Sequence, residues 1–289
     1  MGLKFESFPS SSSEEMPPDN RMEHEPSLSF SYERYGDVSF EHEQLARAAC
    51  ERAAHELGRE WEIDVPTSVP VSIMSDEAFR EGARPGDPHA KKFCFLLRDQ
   101  PDNRLYVNVE IFAQLPNDAE RMIKHEVGHI AVGLAVGNMD AYRQSFLLEE
   151  GTAGLDNATE TLASKLAKEQ ISEIPDPTDF DSLEHLKGLG GDTDKEPFSE
   201  QLGYLVLYSF VSSLKERHGN KKLVEVYRKL SEGMTLPDAY RDVCGEEYVA
   251  ATSTWKHEIS DKRDAMRLEM LSTISQEATM NETSVAETQ

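Results

Sequence analysis

Asn117 to Asn138 reads N-D-A-E-R-M-I-K-H-E-V-G-H-I-A-V-G-L-A-V-G-N, with His125-Glu126-Val127-Gly128-His129 at its centre. Apolar Met122, Ile123, Val127, Ile130, Ala131 and Leu134 recur at spacings of three and four, the period of an amphipathic helix. Asn117 is the expected N-cap, with Glu120 completing a capping-box pattern and Asp118 adding negative charge to the first turn. Gly137-Asn138 predicts the C-terminal cap. Histidines four residues apart share one face of a helix, with β-carbons about 5–6 Å apart. Both rings can therefore reach one metal ion, and imidazole nitrogen suits zinc. Glu126 follows the first ring and points along the rim of the same site. From there it can take a proton from water without binding the metal. The histidines flank a buried stripe, where an imidazole without a partner is costly and a metal would supply one.

A catalytic zinc takes three protein ligands and keeps one position open. The best third ligand downstream lies in Leu147-Leu148-Glu149-Glu150-Gly151-Thr152-Ala153. Glu150 follows His129 by 150 − 129 = 21 residues, enough for the helix to end, the chain to turn and a second helix to return. Leu147 and Leu148 would anchor that helix, and Gly151 would let its backbone approach the metal helix closely. Glu149 should point elsewhere.

H-E-x-x-H followed by L-L-E-E-G-T-A resembles the gluzincin metallopeptidases, and most of all the peptidase MA-like domains, whose corresponding segment reads W-L-x-E-G-x-A. Leu147 stands where that pattern has Trp; Leu148, Glu150, Gly151 and Ala153 match. The likeness covers residues 65–260 and continues through Tyr204–Leu214, Gly219, Leu223–Gly233 and Trp255. It implies a zinc-dependent peptidase with His125, His129 and Glu150 as metal ligands and Glu126 as general base. It also implies that Tyr204 stabilises the oxyanion, with Tyr208 and His218 as alternatives. A further implication is that the strand before the metal helix, Leu105–Val109, lies at the sheet edge and pairs with extended substrate. The chain departs from the family at Gly154, where many gluzincins carry an acid that holds a ligand histidine; Asp156 is the nearest replacement. A second reading is a zinc- and peptide-binding module with little or no turnover. A repressor-cleaving type of metallopeptidase would need an E-x-E-A-N-like segment, which is absent. No amino-terminus-binding motif is present, which favours an endopeptidase.

The rest of the chain frames this site. Of 289 residues, 54 are acidic and 30 basic, a formal net charge of −24 that disfavours nucleic acid and anionic membranes as partners. The expected partner is a peptide or protein substrate. Cys50, Cys94 and Cys244 are too few and too widely spaced for a disulfide framework. With no apolar leader and no run long enough to span a bilayer, a cytoplasmic protein is expected. Residues 1–30, rich in Ser, Pro and Glu, read as a disordered tail. Residues 31–260 read as the catalytic domain, divided into a part with helix, sheet and metal helix (31–140) and a helical lobe (141–260). Residues 261–289 read as a polar tail. Within the domain, residues 40–61 form a helix with Leu45, Ala49, Ala53, Leu57 and Trp61 along one stripe, and His42 and His55 read as surface or packed histidines. Strands are expected at Val69–Met74, Lys92–Leu97 and Arg104–Glu110, a short helix after Ser75, and helices at 158–169, 200–217, 221–231, 236–243 and 246–259. The acidic stretch 171–197, which contains His185, reads as a long loop. The expected class is α+β: a small mixed or antiparallel sheet with an edge strand over the H-E-x-x-H helix, followed by a mostly α-helical C-terminal lobe.

Overall fold

The computed structural model describes residues 28–63, 67–82, 94–96, 104–138, 142–143, 145–154, 157–180 and 200–286. It opens with a strand, β1 (Leu28–Tyr35), whose first three residues fall inside the stretch expected to be tail. Leu28, Phe30 and Tyr32 face the core while Ser29, Ser31 and Glu33 face solvent, the period of two that a half-covered strand requires. Helix α1 (Phe40–Glu60) begins at Ser39, whose hydroxyl accepts the backbone N–H of His42. It buries Ala46, Ala49, Cys50, Ala53, Ala54 and Leu57. Leu45, expected on the buried stripe, is 43% exposed. Each step of four residues drifts about 40° around a helix, so a five-member stripe at that spacing cannot stay on one face.

Strand β2 (Thr67–Met74) runs parallel to β1, from Leu28 opposite Thr67 to Tyr35 opposite Met74. Parallel neighbours need a crossover, and α1 supplies it. Helix α2 (Asp76–Gly82) starts after Ser75, whose hydroxyl accepts the Ala78 N–H at 3.3 Å. Its Phe79 packs with Met74 in a small apolar cluster on the sheet face opposite Ile73. Strand β3 (Cys94–Leu96) pairs antiparallel with β4 (Leu105–Asn108), which in turn lies parallel to β2, so the sheet order is β1-β2-β4-β3. The strand expected at the edge, Leu105–Val109, is therefore interior: β4 is hydrogen-bonded on both sides, and the edge beside it is β3, which packs on the helix that carries His125 and His129.

After the short α3 (Glu110–Gln114) comes α4 (Pro116–Val136), the helix that carries the H-E-x-x-H pentapeptide. It starts two residues earlier than expected. Leu115 is the N-cap, without a side-chain bond, and Pro116 occupies the first helical position, where its missing N–H costs nothing. Asn117 is thus inside the first turn, and Glu120 pairs across to Arg52 of α1 instead of closing a capping box. At the other end Gly137 adopts φ 77° and returns its N–H to Gly133 and Leu134, the expected cap.

The lobe that follows consists of α5 (Phe146–Thr152), α6 (Ala158–Lys168), a 3-10 turn (Pro177–Phe180), α7 (Glu200–His218), α8 (Asn220–Ser231), α9 (Leu236–Cys244) and α10 (Tyr248–Ala286). The last helix runs through most of the stretch expected to be a polar tail. Its inner half packs on α6 and α7, where the Trp255 indole N–H donates to Ser209 at 3.0 Å. One continuous core joins sheet, α1, α4 and lobe, so the two expected parts of the domain share their interior. The molecule is α+β. Among the described residues no helix is long and apolar enough to cross a membrane.

Candidate metal centre

His125 and His129 stand one turn apart on α4 with their rings edge to face, centroids 4.7 Å apart. His129 is fully buried and His125 half-buried toward solvent. Their Nε2 atoms are 3.2 Å apart. Glu150, buried on α5, brings Oε2 to 3.5 Å from His125 Nε2 and 3.8 Å from His129 Nε2. Glu149 does not join this group; among the described residues the converging set is His125, His129 and Glu150.

The other ring nitrogens decide what the Nε2 atoms are. His125 Nδ1 lies 3.1 Å from the Ala153 carbonyl, which can only accept, so Nδ1 carries the hydrogen. His129 Nδ1 lies 2.8 Å from the Tyr142 hydroxyl. That hydroxyl spends its own hydrogen on the Glu149 carbonyl at 2.8 Å and must therefore accept from His129. In their neutral forms both rings aim an Nε2 lone pair at one point, and a buried carboxylate oxygen aims at it too. Three acceptors facing one another in a low-dielectric pocket call for a metal ion or a shared proton between them. At zinc–nitrogen distances of about 2.0–2.1 Å, the edge of a coordination tetrahedron is about 3.3–3.4 Å. The observed separations of 3.2, 3.5 and 3.8 Å bracket that value. The residues fit a zinc ion.

Close approach of α4 to the end of α5 makes the Ala153 bond possible. A β-carbon at Gly128, inside the pentapeptide, would sit 3.1 Å from the Ala153 Cα. The glycine expected to provide this approach, Gly151, faces another way: a β-carbon there would meet Val211 and the Leu207 carbonyl of α7 at 2.2–2.9 Å. Gly154 accounts for the missing acid. A side chain at that position would run into Tyr208 at 2.9 Å, and backbone carbonyl and tyrosine hydroxyl do the orienting that a carboxylate would do. Asp156 lies outside the described residues, as does His185.

The Tyr208 hydroxyl lies 3.5 Å from His125 Nδ1. Tyr204, the residue expected to stabilise the oxyanion, lies one turn earlier on α7, its ring 5.9 Å from that of Tyr208. A helix advances about 5.4 Å per turn, so the choice between them is one of helix register, which spacing in sequence leaves open. His218 Nε2 bonds the Tyr240 hydroxyl at 2.7 Å beside Glu246. Glu126 is half-buried, and its charge reaches both His125 and Tyr208.

Burial pushes the Tyr208 hydroxyl well above the ordinary tyrosine range, and the charges of Glu150, Tyr204 and Glu126 add to this, so it remains a donor at neutral pH. Tyr142 is raised for the same first reason, burial, with Tyr227 and Glu149 adding to it. For His125 burial disfavours the charged ring, but the bond to Glu150, the charges of Glu126 and Glu150 and the Ala153 carbonyl outweigh it and raise its pKa.

The chain matches no family model, no curated protein and no solved structure.

Sequence reasoning missed Tyr142, the Ala153 carbonyl and the buried Thr152–Tyr227 pair (3.0 Å) that packs beneath them. Tyr142 sits in Asp140-Ala-Tyr-Arg, between two helices, with no periodicity to mark it. A backbone carbonyl leaves no sequence signal at all.

Proposed function

We propose that this chain is a zinc-dependent peptidase that hydrolyses peptide bonds with Glu126 as general base. The observation that carries the reading is the convergence of two tautomer-fixed imidazole nitrogens and one carboxylate oxygen at tetrahedral-edge spacing. A second carboxylate stands on the rim outside that set. The resemblance of H-E-x-x-H and L-L-E-E-G-T-A to the gluzincin pattern supports it.

His125, His129 and Glu150 would hold the ion, on the side where His125 is half-exposed. When bound, zinc supplies Lewis acidity that brings the pKa of a water toward about 7. Glu126 accepts the proton of the attacking water on a carboxylate oxygen and returns it to the leaving amide nitrogen. The Tyr208 hydroxyl, held protonated, donates to the scissile carbonyl oxygen as negative charge grows there. Ala153 and Tyr142 keep both Nδ1 hydrogens in place, so neither ring can turn its lone pair away.

The test is zinc content together with cleavage of a peptide library, comparing parent with Glu126→Gln. Both proteins should carry one zinc per chain, and the variant should lose about 10²–10⁴-fold in turnover, the usual worth of a proton-transfer group. A chain without stoichiometric zinc, or a variant that cleaves at the parental rate, refutes the proposal.

A further inference from the structure

The charged residues that precede His125 on α4 do not all do the same thing. Glu120 pairs with Arg52 at 2.5 Å and Lys124 with Glu56 at 2.9 Å, and both pairs tie α4 to α1. Arg121 lies four residues before His125, so it shares the face that carries the metal-binding ring. Its ion pair with Asp118, at 3.7 Å between two exposed side chains, is weak and readily exchanged. Its positive charge also reaches Tyr208, where it opposes the upward push that burial, Glu150, Tyr204 and Glu126 exert on that hydroxyl. A solvent-facing guanidinium therefore stands one turn from the His125 ring, on the same face of α4. The chain as a whole, at −24, repels anions. A carboxylate brought near the ligand group meets its favourable partner at Arg121, whose planar fork matches it bidentately.

We propose that Arg121 is a substrate-selecting residue that binds a carboxylate of the peptide, and that the preferred substrates are acidic near the scissile bond or end there in a free C-terminus. This rests on the peptidase reading above. Arg121 acts in binding rather than in proton transfer, and its effect should weaken with salt because the side chain is exposed.

The test separates this inference from the reading beneath it by measuring binding without turnover. Zinc-loaded Glu126→Gln is titrated with N-acetylated, C-amidated octapeptides that place Glu or Gln at each position in turn, and with a Gln peptide that keeps its free C-terminal carboxylate. The same titrations use Glu126→Gln/Arg121→Gln. Tighter binding of a carboxylate peptide over its neutral twin by about two- to fivefold is expected, the range that an exposed charge pair supports, and the double variant should lose that preference. Preference confined to internal Glu identifies an acidic side chain as the ligand, and preference confined to the free C-terminus identifies the terminal carboxylate. Equal binding of charged and neutral peptides, absence of peptide binding to the zinc-loaded chain, or a preference that survives Arg121→Gln overturns the inference. The peptidase reading is judged separately, by zinc content and by cleavage with the parent.

Discussion

Replacing Tyr142 with Phe removes one oxygen from a buried relay and leaves its ring in place. In the parent the hydroxyl accepts from His129 Nδ1 and donates to the Glu149 carbonyl, both at 2.8 Å. The Glu149 carbonyl keeps a second donor, Thr152 Oγ1 at 3.2 Å, so its loss is partial. His129 Nδ1–H loses the 2.8 Å bond to that hydroxyl, and taking the acceptor from a buried donor costs about 1–3 kcal/mol. At about 1.4 kcal/mol per factor of ten, that is roughly a 5- to 150-fold change in an equilibrium constant. Loss of a group that orients a metal-binding histidine ordinarily weakens metal affinity about 10–100-fold, within the same range. The zinc Kd of Tyr142→Phe should therefore rise by about 10–100-fold in competition with a chromophoric chelator. Tyr227→Phe serves as the control. It removes the 3.0 Å contact to Thr152, which still donates to the Leu148 carbonyl at 2.7 Å, so its zinc Kd should move far less. Parental zinc affinity in Tyr142→Phe, or an equal loss in Tyr227→Phe, would refute the assignment of the His129 tautomer to the Tyr142 hydroxyl.

Two further outcomes follow from the same geometry. Gly128→Ala gains about 0.8–1.0 kcal/mol of helix propensity but puts a β-carbon 3.1 Å from Ala153 Cα. Chemical unfolding should therefore show little net change in stability, while zinc affinity falls several-fold as the His125–Ala153 bond lengthens; undiminished affinity would mean that the close approach is not needed. His125, raised above its ordinary 6.5 in the metal-free protein, contributes stability that is complete below 6.5 and is lost as pH rises through its folded value. Zinc competes with that proton, so its stabilisation grows over the same interval. The gap in Tm between zinc-loaded and metal-free protein should widen as pH rises above 6.5, and a gap that narrows would contradict the shift.

Much of the fold was readable from local pattern. The 3.6-residue period marked α1, α4, α6, α7, α8 and α9 to within a few residues, because each has one face against a common core. The pentapeptide itself determined that two imidazoles share a helix face, and Gly137 determined where that helix stops, since both depend only on residues within a few turns. Other features had no local signature. β1 was hidden in polar sequence because its alternation has meaning only against a neighbouring strand. The edge of the sheet fell to β3 because pairing order is a property of the whole sheet. Where α10 ends was equally open, since residues 268–276 are exposed and carry no imposed period.

The sequence by itself settled which side chains could bind a metal; the tertiary structure decided which atoms of them point inward. The position of Glu150 21 residues on, the approach of Tyr208 to His125, and the fixing of both Nδ1 hydrogens by Ala153 and Tyr142 all require α4, α5 and α7 to be packed together. A contact between elements depends on rotation and offset of rigid helices, and those are set by how side chains fill the space between them, not by the spacing of residues along either one.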